Sequence, residues 1–512
     1  MSTFPQFPDD VDAVRRWARL APSRVALVDD THGARLTYAA LDAASWAWAH
    51  VLRAAGVTTG DRVALLAGTR AECVALFYGC LRLGAVLVPL NWRLAPSELA
   101  RVLADARPMV LVCDARHDTL AARALAVDGA PPRVATLRLD AADGVADAAP
   151  LPEPPSDAES ATMLLYTSGS TGAPKGVILP RRQLLYNAVA TVTGWRMTPD
   201  EVVPVSTPLF HTGGWHVFLT PVLHVGGTVV LFDGFEPARF LAGLAEHACT
   251  LAFAVPTQFT MLMAEPRWGE PLPALRRFVS GGAPCPPAVR AAIRAAGHGF
   301  QEGFGLTECG PNCFATNDET AEAHPGTVGW PIPFLSVRVV DEAGEDVPPG
   351  TPGELLLRGP QLFAGYFGAP ERTAEALTAD GWMRTGDLAV RDATGLTRIC
   401  GRRKEMFISG GENVFPGEVE AALADCPGVA EVAVIGVPDD RWGEVGRAFV
   451  VARAGDPVDA ARVVAFARGA LAGYKVPKQV VLLDALPRLG SGKIDRRALA
   501  AMTEPATAGA SA

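Results

Sequence analysis

The strongest chemical signal in the chain is a short loop rich in glycine and hydroxyl side chains. It reads YTSGSTGAPKGV from Tyr166 to Val177 and follows the apolar, strand-like run Met163–Leu165. Glycines free the backbone so that several N–H groups can converge on phosphate oxygens, and the hydroxyls and Lys175 add donors and positive charge. A flexible linker has a similar composition, but linkers rarely lie between two apolar strand segments. The loop therefore predicts a triphosphate site.

The spacing of this loop differs from that of a Walker A loop. Lys175 follows Pro174 where a Walker loop has glycine, and it precedes Gly176 where a Walker loop has serine or threonine. The next residues form an apolar run that ends at Pro180, whereas a Walker loop opens a helix. The loop is therefore a triphosphate site of another class.

Five further motifs follow in the chain, and together with the loop they carry a family resemblance. They are Ser280-Gly-Gly-Ala-Pro284, Gly303-Phe-Gly-Leu-Thr-Glu308, Thr385-Gly-Asp387, Gly401-Arg-Arg-Lys-Glu405 and Gly490-Ser-Gly-Lys493. The set resembles the signatures of the adenylate-forming superfamily, which includes acyl- and aryl-CoA synthetases, amino-acid adenylation domains and firefly luciferase. Within it, the chain is most similar to fatty-acyl-CoA synthetases. The resemblance spans nearly the whole chain.

The resemblance implies a two-step ligase reaction that uses ATP, Mg²⁺ and coenzyme A. A carboxylate attacks the α-phosphate of ATP to give an acyl-adenylate and pyrophosphate, and the thiol of coenzyme A then displaces AMP. The first step brings an anion to a polyanion, so the site must supply positive charge and hydrogen-bond donors. By resemblance, the phosphates contact Thr167, Ser168, Gly169, Ser170, Thr171, Gly172, Lys175 and Thr307, and Mg²⁺ lies at Thr167 and Glu308. Outside its motif, Glu308 would read as a carboxylate that caps a turn.

The same resemblance assigns an adenosine site. Phe304 offers a flat apolar face for adenine, Asp387 accepts from the ribose hydroxyls, and Arg402 contacts the same sugar. Without the surrounding motif, Asp387 after a glycine would read as an ordinary turn residue. The residues expected to contact adenosine are Gly281, Gly282, Ala283, Glu302, Gly303, Phe304, Gly305, Asp387 and Arg402.

The C-terminal motifs imply a mobile domain. In the family the small domain rotates between an adenylating and a thioester-forming pose, and Lys404 falls at the hinge position. Lys493 reaches the carboxylate and the α-phosphate in the first pose; by itself it would read as a solvated lysine. Contacts to coenzyme A are expected from Gly410, Gly411, Glu412, Trp442, Tyr474 and Lys478. For Trp442 a place in the core is an equal alternative, and Val476 departs from the basic residue that some relatives carry there.

The acyl site is expected around His211, in the run Pro208-Leu-Phe-His-Thr-Gly-Gly214. Amino-acid adenylation domains carry an aspartate at the His211 position, so the histidine argues against a free α-amino acid as substrate. His211 either gates the pocket, hydrogen-bonds the carboxylate or packs on Trp215. Possible pocket walls are Trp215, Val255, Phe218, Thr257 and Phe314.

These motifs favour a medium- or long-chain fatty acid as the substrate. An aromatic or succinylbenzoate-type acid is the alternative. An adenylating enzyme that loads an acyl-carrier protein, a luciferase-type oxygenase and a non-catalytic binding protein remain as rival functions. Intact Glu308 and Lys493 argue against the last of these.

The elements that must position these residues follow an α/β pattern. Between residues 62 and 138, the strand-like runs Val63–Leu66, Ala85–Leu87 and Met109–Cys113 alternate with the helix-like segments Ala71–Leu83 and Asp118–Leu125. A Pro- and Asp-rich linker follows at 141–160, and a second βαβ-like stretch begins near residue 238. We predict a large domain (1–400) of two helix-covered, mainly parallel sheets with a small β-barrel-like subdomain. After the large domain we predict a hinge (401–404) and a mobile α+β domain (405–512), whose last residues (503–512) form a disordered tail.

Composition sets the wider frame. A chain of 512 residues with 49% hydrophobic and 20% charged residues is long enough for one large and one smaller domain and is not mainly disordered. Its net charge of −9 argues against nucleic-acid binding. The nine cysteines are odd in number and irregularly spaced, which predicts buried thiols in a cytoplasmic protein. No run is long enough to span a membrane. A homodimer is an open alternative.

The basic residues comprise 41 arginines and only 5 lysines. Where arginine fills ordinary surface positions, a retained lysine is a candidate for a role that requires a compact ammonium group. The five lysines are Lys175, Lys404, Lys475, Lys478 and Lys493.

Overall fold

A seven-stranded sheet forms the centre of the large domain. The computed structural model describes residues 11–129, 131, 134–145, 148–152, 154, 157–168, 174–410, 412–453, 455–489 and 493–502. Five neighbouring strands of this sheet are parallel, and two antiparallel strands extend one edge. In spatial order the strands are Gly365–Tyr366, Pro174–Pro180, Ala161–Ser168, Val86–Pro89, Arg62–Leu66, Val110–Cys113 and Ala135–Arg138.

The helices that cover this sheet pack closely because small residues lie between them. Helix Ala71–Leu83 packs on helix Tyr38–Ala54, and a Cβ atom at Gly79 would lie 2.8 Å from Cβ of Trp48. Almost every residue of Ala71–Leu83 is buried, as expected for a helix between two layers. Helices Ala71–Leu83 and Asp118–Leu125 have the predicted bounds, and the three predicted strands occur within two residues of theirs.

A second layer consists of two smaller sheets that lie side by side. A four-stranded sheet contains, in order, Arg35–Thr37, Val25–Asp29, Thr228–Leu231 and Val202–Val205. A three-stranded parallel sheet contains Leu251–Ala254, Arg277–Ser280 and Gly299–Glu302. The N–H of Thr250 donates to the carbonyl of Val202 at 2.8 Å, which joins the two sheets at their edges. The predicted α/β class with helix-covered, mainly parallel sheets is confirmed.

The β subdomain is an open sheet. Its four antiparallel strands are Ser336–Val340, Gly353–Arg358, Met383–Arg391 and Thr397–Arg402. The first and last of these are the two edges, so the sheet does not close into a barrel. Its last two strands carry Asp387 and Arg402 in register with each other.

The C-terminal region has its own core. Its sheet contains Phe407–Ser409, Glu412–Val414, Val429–Asp439, Gly443–Ala452 and Gln479–Leu483, with helices Pro416–Leu423, Ala460–Ala470 and Arg496–Ala501. Successive residues of one strand point to opposite faces, so Val434 joins one apolar cluster and Ala433 and Ile435 join the other. Separate clusters fit the expected division near residues 401–404, which stays a prediction.

The remaining elements connect these layers. The further helices are Ala13–Leu20, Pro96–Ala106, Arg181–Gly194, Thr212–His216, Leu219–Val225, Pro237–Glu246, Pro256–Met263, Pro287–Ala295, Asp318–Ala323 and Pro370–Ala376. Short strands lie at Phe314–Ala315 and Trp330–Pro331, and 3₁₀ turns lie at Ala115–His117, Thr307–Cys309 and Arg403–Glu405. In the part of the chain that the structure describes, no helix is long and apolar enough to cross a membrane.

The cysteine prediction is confirmed. All nine thiols are free, and eight of them are buried. The described part of the segment 141–160 contains no buried residue, as expected for a surface linker.

Candidate active site

The turn Thr307–Cys309 is held from three directions. Its first and third carbonyls accept hydrogen bonds from the side-chain amides of Gln183 (3.0 Å) and Gln361 (2.9 Å), and the backbone N–H of Phe363 donates to the middle carbonyl at 2.7 Å. Both glutamines are buried. The backbone of the turn is therefore fixed, while the side chains of Thr307 and Glu308 remain half-exposed. The sequence analysis did not identify either glutamine, because no local motif surrounds them.

A tyrosine joins Glu308 to Lys175. The hydroxyl of Tyr366 donates to Oε1 of Glu308 at 2.9 Å, and the ammonium nitrogen of Lys175 lies 4.9 Å from the centroid of the same ring. The structure thus brings together two predicted phosphate- and metal-site residues that are far apart in sequence. The sequence analysis missed Tyr366, although it follows a glycine in a short aromatic run.

The two arms of the phosphate loop form a hairpin. Thr167 pairs with Lys175, and Ser168 pairs with Pro174, across antiparallel strands. This register places the Thr167 backbone opposite Lys175 at the base of the loop. The predicted phosphate contacts Gly169, Ser170, Thr171 and Gly172 lie outside the described residues.

Asp387 and Arg402, the two predicted ribose contacts, lie side by side. They face each other on neighbouring strands, with Nε of Arg402 3.0 Å from Oδ1 of Asp387. The other carboxylate oxygen, Oδ2, is buried and has no hydrogen-bond partner among the described residues. Burial raises the pKa of Asp387 to about 6, against the opposing effect of Arg402. A buried acceptor without a donor is suited to a ligand hydroxyl.

The predicted adenine segments lie side by side. Strands Arg277–Ser280 and Gly299–Glu302 are parallel neighbours, so the segments that leave their carboxyl ends meet. A Cβ atom at Gly281 would lie 3.5 Å from the carbonyl oxygen of Gly303, and the ring of Phe304 is half-buried. The meeting segments are Gly281–Ala283 and Gly303–Gly305.

Glu302 differs from the other adenine-site candidates because its carboxylate supports a loop. Oε1 accepts from the N–H of Cys285 at 2.8 Å, and Oε2 lies 3.5 Å from Arg290. Burial raises the pKa of Glu302 despite these partners. In this structure the carboxylate therefore holds the segment that follows Ser280.

Charged residues from three motifs affect the pKa of Lys493. Its side chain is exposed, yet surrounding protein and the Arg402 cation lower the pKa of its ammonium group, against the opposing charges of Asp387 and Glu308. The structure therefore brings the last motif of the chain to the phosphate and ribose candidates. The preceding motif residues Gly490–Gly492 lie outside the described residues.

His211 is held in its neutral form beside two cations. Burial, with smaller contributions from Lys493 and Arg93, lowers the pKa of His211 to about 4. Its Nε2 atom has no hydrogen-bond partner among the described residues. The His211 ring lies 4.5 Å from that of Phe210, which Trp92 contacts edge-on at 5.7 Å. The sequence analysis missed this aromatic group and Arg93.

Most of the expected acyl-pocket walls are not open to a ligand in this structure. Trp215, Phe218 and Phe314 are fully buried in the core, with exposed fractions of 0%, 2% and 0%. Trp215 packs against Phe77 instead, with ring centroids 5.1 Å apart. The two accessible candidates are Val255, which is half-buried, and Thr257, which is exposed.

The coenzyme A candidates form a cluster on the C-terminal domain. The ring of Trp442 covers Gly410, where a Cβ atom would lie 2.7 Å from it, and Nζ of Lys478 lies 5.8 Å from the ring centroid. Trp442 is 37% exposed, so it is not a core tryptophan. Tyr474 is half-buried and Glu412 is exposed. Gly411 lies outside the described residues.

Val476 and Lys475 have structural contacts in the same region. Val476 is buried in the domain core, which accounts for an apolar residue at this position. Nζ of Lys475 lies 2.6 Å from the carboxylate of Glu418.

The neighbours of Lys404 form ion pairs on opposite sides. Lys404 itself is exposed within the turn Arg403–Glu405. Arg403 lies 3.2 Å from Glu354 of the β subdomain, whereas Glu405 lies 3.1 Å from Arg496 of the C-terminal region. The structure therefore anchors the residue before Lys404 to one region and the residue after it to the other.

Comparisons with known proteins identify the family of the chain. Residues 14–367 match the family described as AMP-binding enzyme, and residues 418–493 match the AMP-binding enzyme C-terminal domain. The chain is 42% identical over 483 residues to a feruloyl-CoA synthase from an Amycolatopsis species, covering 94% of this chain and 96% of that protein. It is 34% identical over 492 residues to a long-chain fatty-acid–CoA ligase from Mycobacterium tuberculosis, covering 94% and 96%.

The chain is also similar to a solved structure over nearly its whole length. The o-succinylbenzoate coenzyme A synthetase from Bacillus subtilis, in complex with ATP and a magnesium ion, superposes with a TM-score of 0.86. It is 30% identical, and the match covers 96% of this chain and 99% of that one. Since the family match covers more than half of the sequence, the chain belongs to the AMP-binding enzyme family.

Proposed function

We propose that the protein is an ATP-dependent acid–thiol ligase that forms acyl-CoA thioesters. The carboxylate of the acid displaces pyrophosphate from ATP to give an acyl-adenylate, and the thiol of coenzyme A then displaces AMP. The observation that carries this proposal is that Lys493 lies close enough to Asp387 and Glu308 for their charges to act on its ammonium group, although the three residues come from separate motifs. A cation among ribose- and metal-site carboxylates suits an enzyme that brings a carboxylate to a nucleotide phosphate.

In the first step, positive charge must offset the repulsion between the two anions. Lys175 lies at the base of the phosphate loop, and Lys493 lies near the ribose site. The hydroxyl of Thr307 donates to the α-phosphate. Because the turn that carries Thr307 is already fixed, little reorganisation accompanies the reaction.

The donor set at Glu308 and Thr167 fits Mg²⁺. Both offer oxygen atoms, which this hard cation prefers, and Tyr366 contacts only one oxygen of the Glu308 carboxylate. When bound, Mg²⁺ neutralises charge on the pyrophosphate that leaves. Glu308 and Thr167 would hold the ion, and Asp387 would accept from the ribose hydroxyls.

In the second step, the C-terminal domain turns about Lys404. The charges of Asp387 and Glu308 that act on Lys493 support an adenylating pose as the starting point. Rotation moves Lys493 away and brings Gly410, Gly411 and Glu412 to the acyl-adenylate. Coenzyme A then lies along Trp442, Tyr474 and Lys478, where an exposed ring and an ammonium group suit its adenine and phosphates.

We propose an aromatic carboxylic acid as the substrate. Two relatives named for aromatic acids support it, since the feruloyl-CoA synthase is 42% identical and the solved synthetase acts on o-succinylbenzoate. The half-buried ring of Trp92, which packs edge-on against the buried ring of Phe210 beside neutral His211, offers flat apolar surface to an aromatic group. This reverses the order of substrates that the sequence motifs favoured.

A medium- or long-chain fatty acid is the second candidate. The 34% identity to a long-chain fatty-acid–CoA ligase supports it. Against it, Trp215, Phe218 and Phe314 present no surface to an alkyl chain in this structure.

A substrate panel tests the proposal. Pyrophosphate release and thioester formation are measured with ferulate, indoleacetate, decanoate and palmitate, each with and without coenzyme A. We expect the highest kcat/KM with an aromatic acid and stoichiometric AMP. Pyrophosphate release without any thioester would favour transfer to a carrier protein, and no release with any acid would contradict a ligase.

A further inference from the structure

We propose that Tyr366 is a positioning residue for the metal ion and the phosphates of ATP. It keeps Glu308 and Lys175 from pairing with each other, so that Glu308 stays available to the metal ion and Lys175 to the phosphates. This inference rests on the proposed roles of those two residues. It adds a third residue that contacts both of them and that is not itself expected to contact the reacting atoms.

The position of Tyr366 is fixed by the strand that carries Lys175. The short strand Gly365–Tyr366 pairs antiparallel with Pro174–Pro180, with Tyr366 opposite Val177. The N–H of Phe367 donates to the carbonyl of Gly176 at 2.8 Å. Tyr366 thus belongs to the same sheet as Lys175, which fixes its backbone relative to the strand that carries Lys175.

The Tyr366 side chain also contacts Glu308 in two ways. Its hydroxyl donates directly to Oε1 at 2.9 Å. Its ring packs edge-on against Phe363 at 5.0 Å, and the backbone N–H of Phe363 holds the Glu308 carbonyl at 2.7 Å.

The ring separates two opposite charges. Lys175 contacts the ring and Glu308 accepts from the hydroxyl, and among the described residues no ion pair joins Lys175 to Glu308. A direct pair would have to break before phosphate and metal could enter, which would weaken their binding. With Tyr366 between them, each group has a partner that leaves its charge available.

The test compares Tyr366→Phe, Tyr366→Leu and Glu308→Gln by direct binding. Circular dichroism and thermal unfolding first establish that each variant is folded. The affinity for Mn²⁺, a spectroscopic substitute for Mg²⁺, is then measured by electron paramagnetic resonance in the protein–ATP complex. ATP binding without a divalent cation is measured by calorimetry.

We expect Tyr366→Phe to weaken Mn²⁺ binding about tenfold, as for loss of a charge-assisted hydrogen bond, and to change metal-free ATP binding less than about twofold. Tyr366→Leu also removes the ring beneath Lys175, so it weakens both. In the Glu308→Gln background, Tyr366→Phe has no further effect on Mn²⁺ affinity.

Three results would overturn the inference, and they are distinguishable. Unchanged Mn²⁺ affinity in Tyr366→Phe, with a loss in Glu308→Gln, rejects the positioning role and leaves the proposed function intact. Unchanged affinity in Glu308→Gln rejects the metal role of Glu308 and the inference with it. A general structural role for Tyr366 would weaken metal-free ATP binding in Tyr366→Phe as much as Mn²⁺ binding.

Discussion

The two candidate substrate surfaces of the chain are built in different ways. The three carbonyls of the Thr307–Cys309 turn accept hydrogen bonds from the large domain, two from glutamine side chains and one from a backbone N–H, and the hydroxyl of Tyr366 donates to the Glu308 carboxylate. The cluster around Trp442 is exposed and belongs to a region with its own core. A rigid site suits the binding of a charged nucleotide, where misplaced donors cost binding energy. A surface on a separate domain suits a partner that arrives only after the first step.

The largest effect is expected at Lys493, which belongs to the C-terminal region but lies near the nucleotide site of the large domain. Lys493→Ala removes a positive charge from the nucleotide site, so adenylation should fall by about 100-fold or more. Pyrophosphate release from ATP and acid measures this loss, and thioester formation from supplied acyl-adenylate should change little. Lys475→Ala is the control, because it removes another ammonium group of the same domain. Equal loss in both half-reactions would contradict the assignment of Lys493 to one pose.

A substitution at Gln361 tests how far the rigidity of the nucleotide site depends on its buried hydrogen bonds. Gln361→Met keeps the side-chain volume but leaves the buried carbonyl of Cys309 without its donor. We expect the free energy of unfolding to fall by about 1–3 kcal/mol. Urea unfolding measures this change, and adenylation should fall in parallel. Gln479→Met, on a half-buried strand of the C-terminal domain, is the comparison. A loss as large in Gln479→Met would remove the contrast between the two regions.

The mobility of the second region depends on Lys404. Lys404→Pro restricts φ at the hinge position, so we expect the rate of one half-reaction to fall about tenfold while the other changes less. The two half-reactions are assayed separately with ATP plus acid and with acyl-adenylate plus coenzyme A. The control is Lys404→Ala, which changes the side chain but keeps an ordinary φ range. Arg398→Pro would not serve as a control, because Arg398 lies within the strand Thr397–Arg402. Unchanged rates in both halves would reject the hinge.

The smallest effect concerns pH. A pKa of about 6 for Asp387 means that its carboxylate loses its charge between pH 7 and pH 5, where an ordinary aspartate stays ionised. Adenosine, which has no phosphates that titrate in this range, should therefore bind about tenfold more weakly at pH 5 than at pH 7. Calorimetry measures the affinity. In Asp387→Asn binding should be weak and independent of pH; an unchanged pH profile in this variant would assign the titration to another group.

Sequence motifs predicted residues whose roles are local to a motif. Asp387 and Arg402 were expected to share a ribose site, and antiparallel pairing places them side by side. Gln183, Gln361 and Tyr366 were missed because they contact the Thr307–Cys309 turn from positions 52 to 124 residues away. Only the packing of distant elements reveals such contacts.

The walls of the acyl site could not be predicted from the sequence for a different reason. Trp215 follows His211 by four residues, and this spacing alone does not specify which side chain faces a pocket and which faces the core. In the fold, Trp215 has no exposed surface and packs against Phe77. The candidate surface near His211 instead includes Trp92, which no motif contains.

The opposite ion pairs around Lys404 limit where the chain can bend. Arg403 is tied to Glu354 on the side of the large domain, and Glu405 is tied to Arg496 on the side of the small one. Neither pair spans the proposed pivot, so a rotation confined to the backbone torsions of Lys404 would preserve both. Such a rotation must instead break local contacts, since the hydrogen bond from the N–H of Met406 to the carbonyl of Arg402 (3.2 Å) spans the pivot and helix Pro416–Leu423 packs on strand Thr397–Arg402.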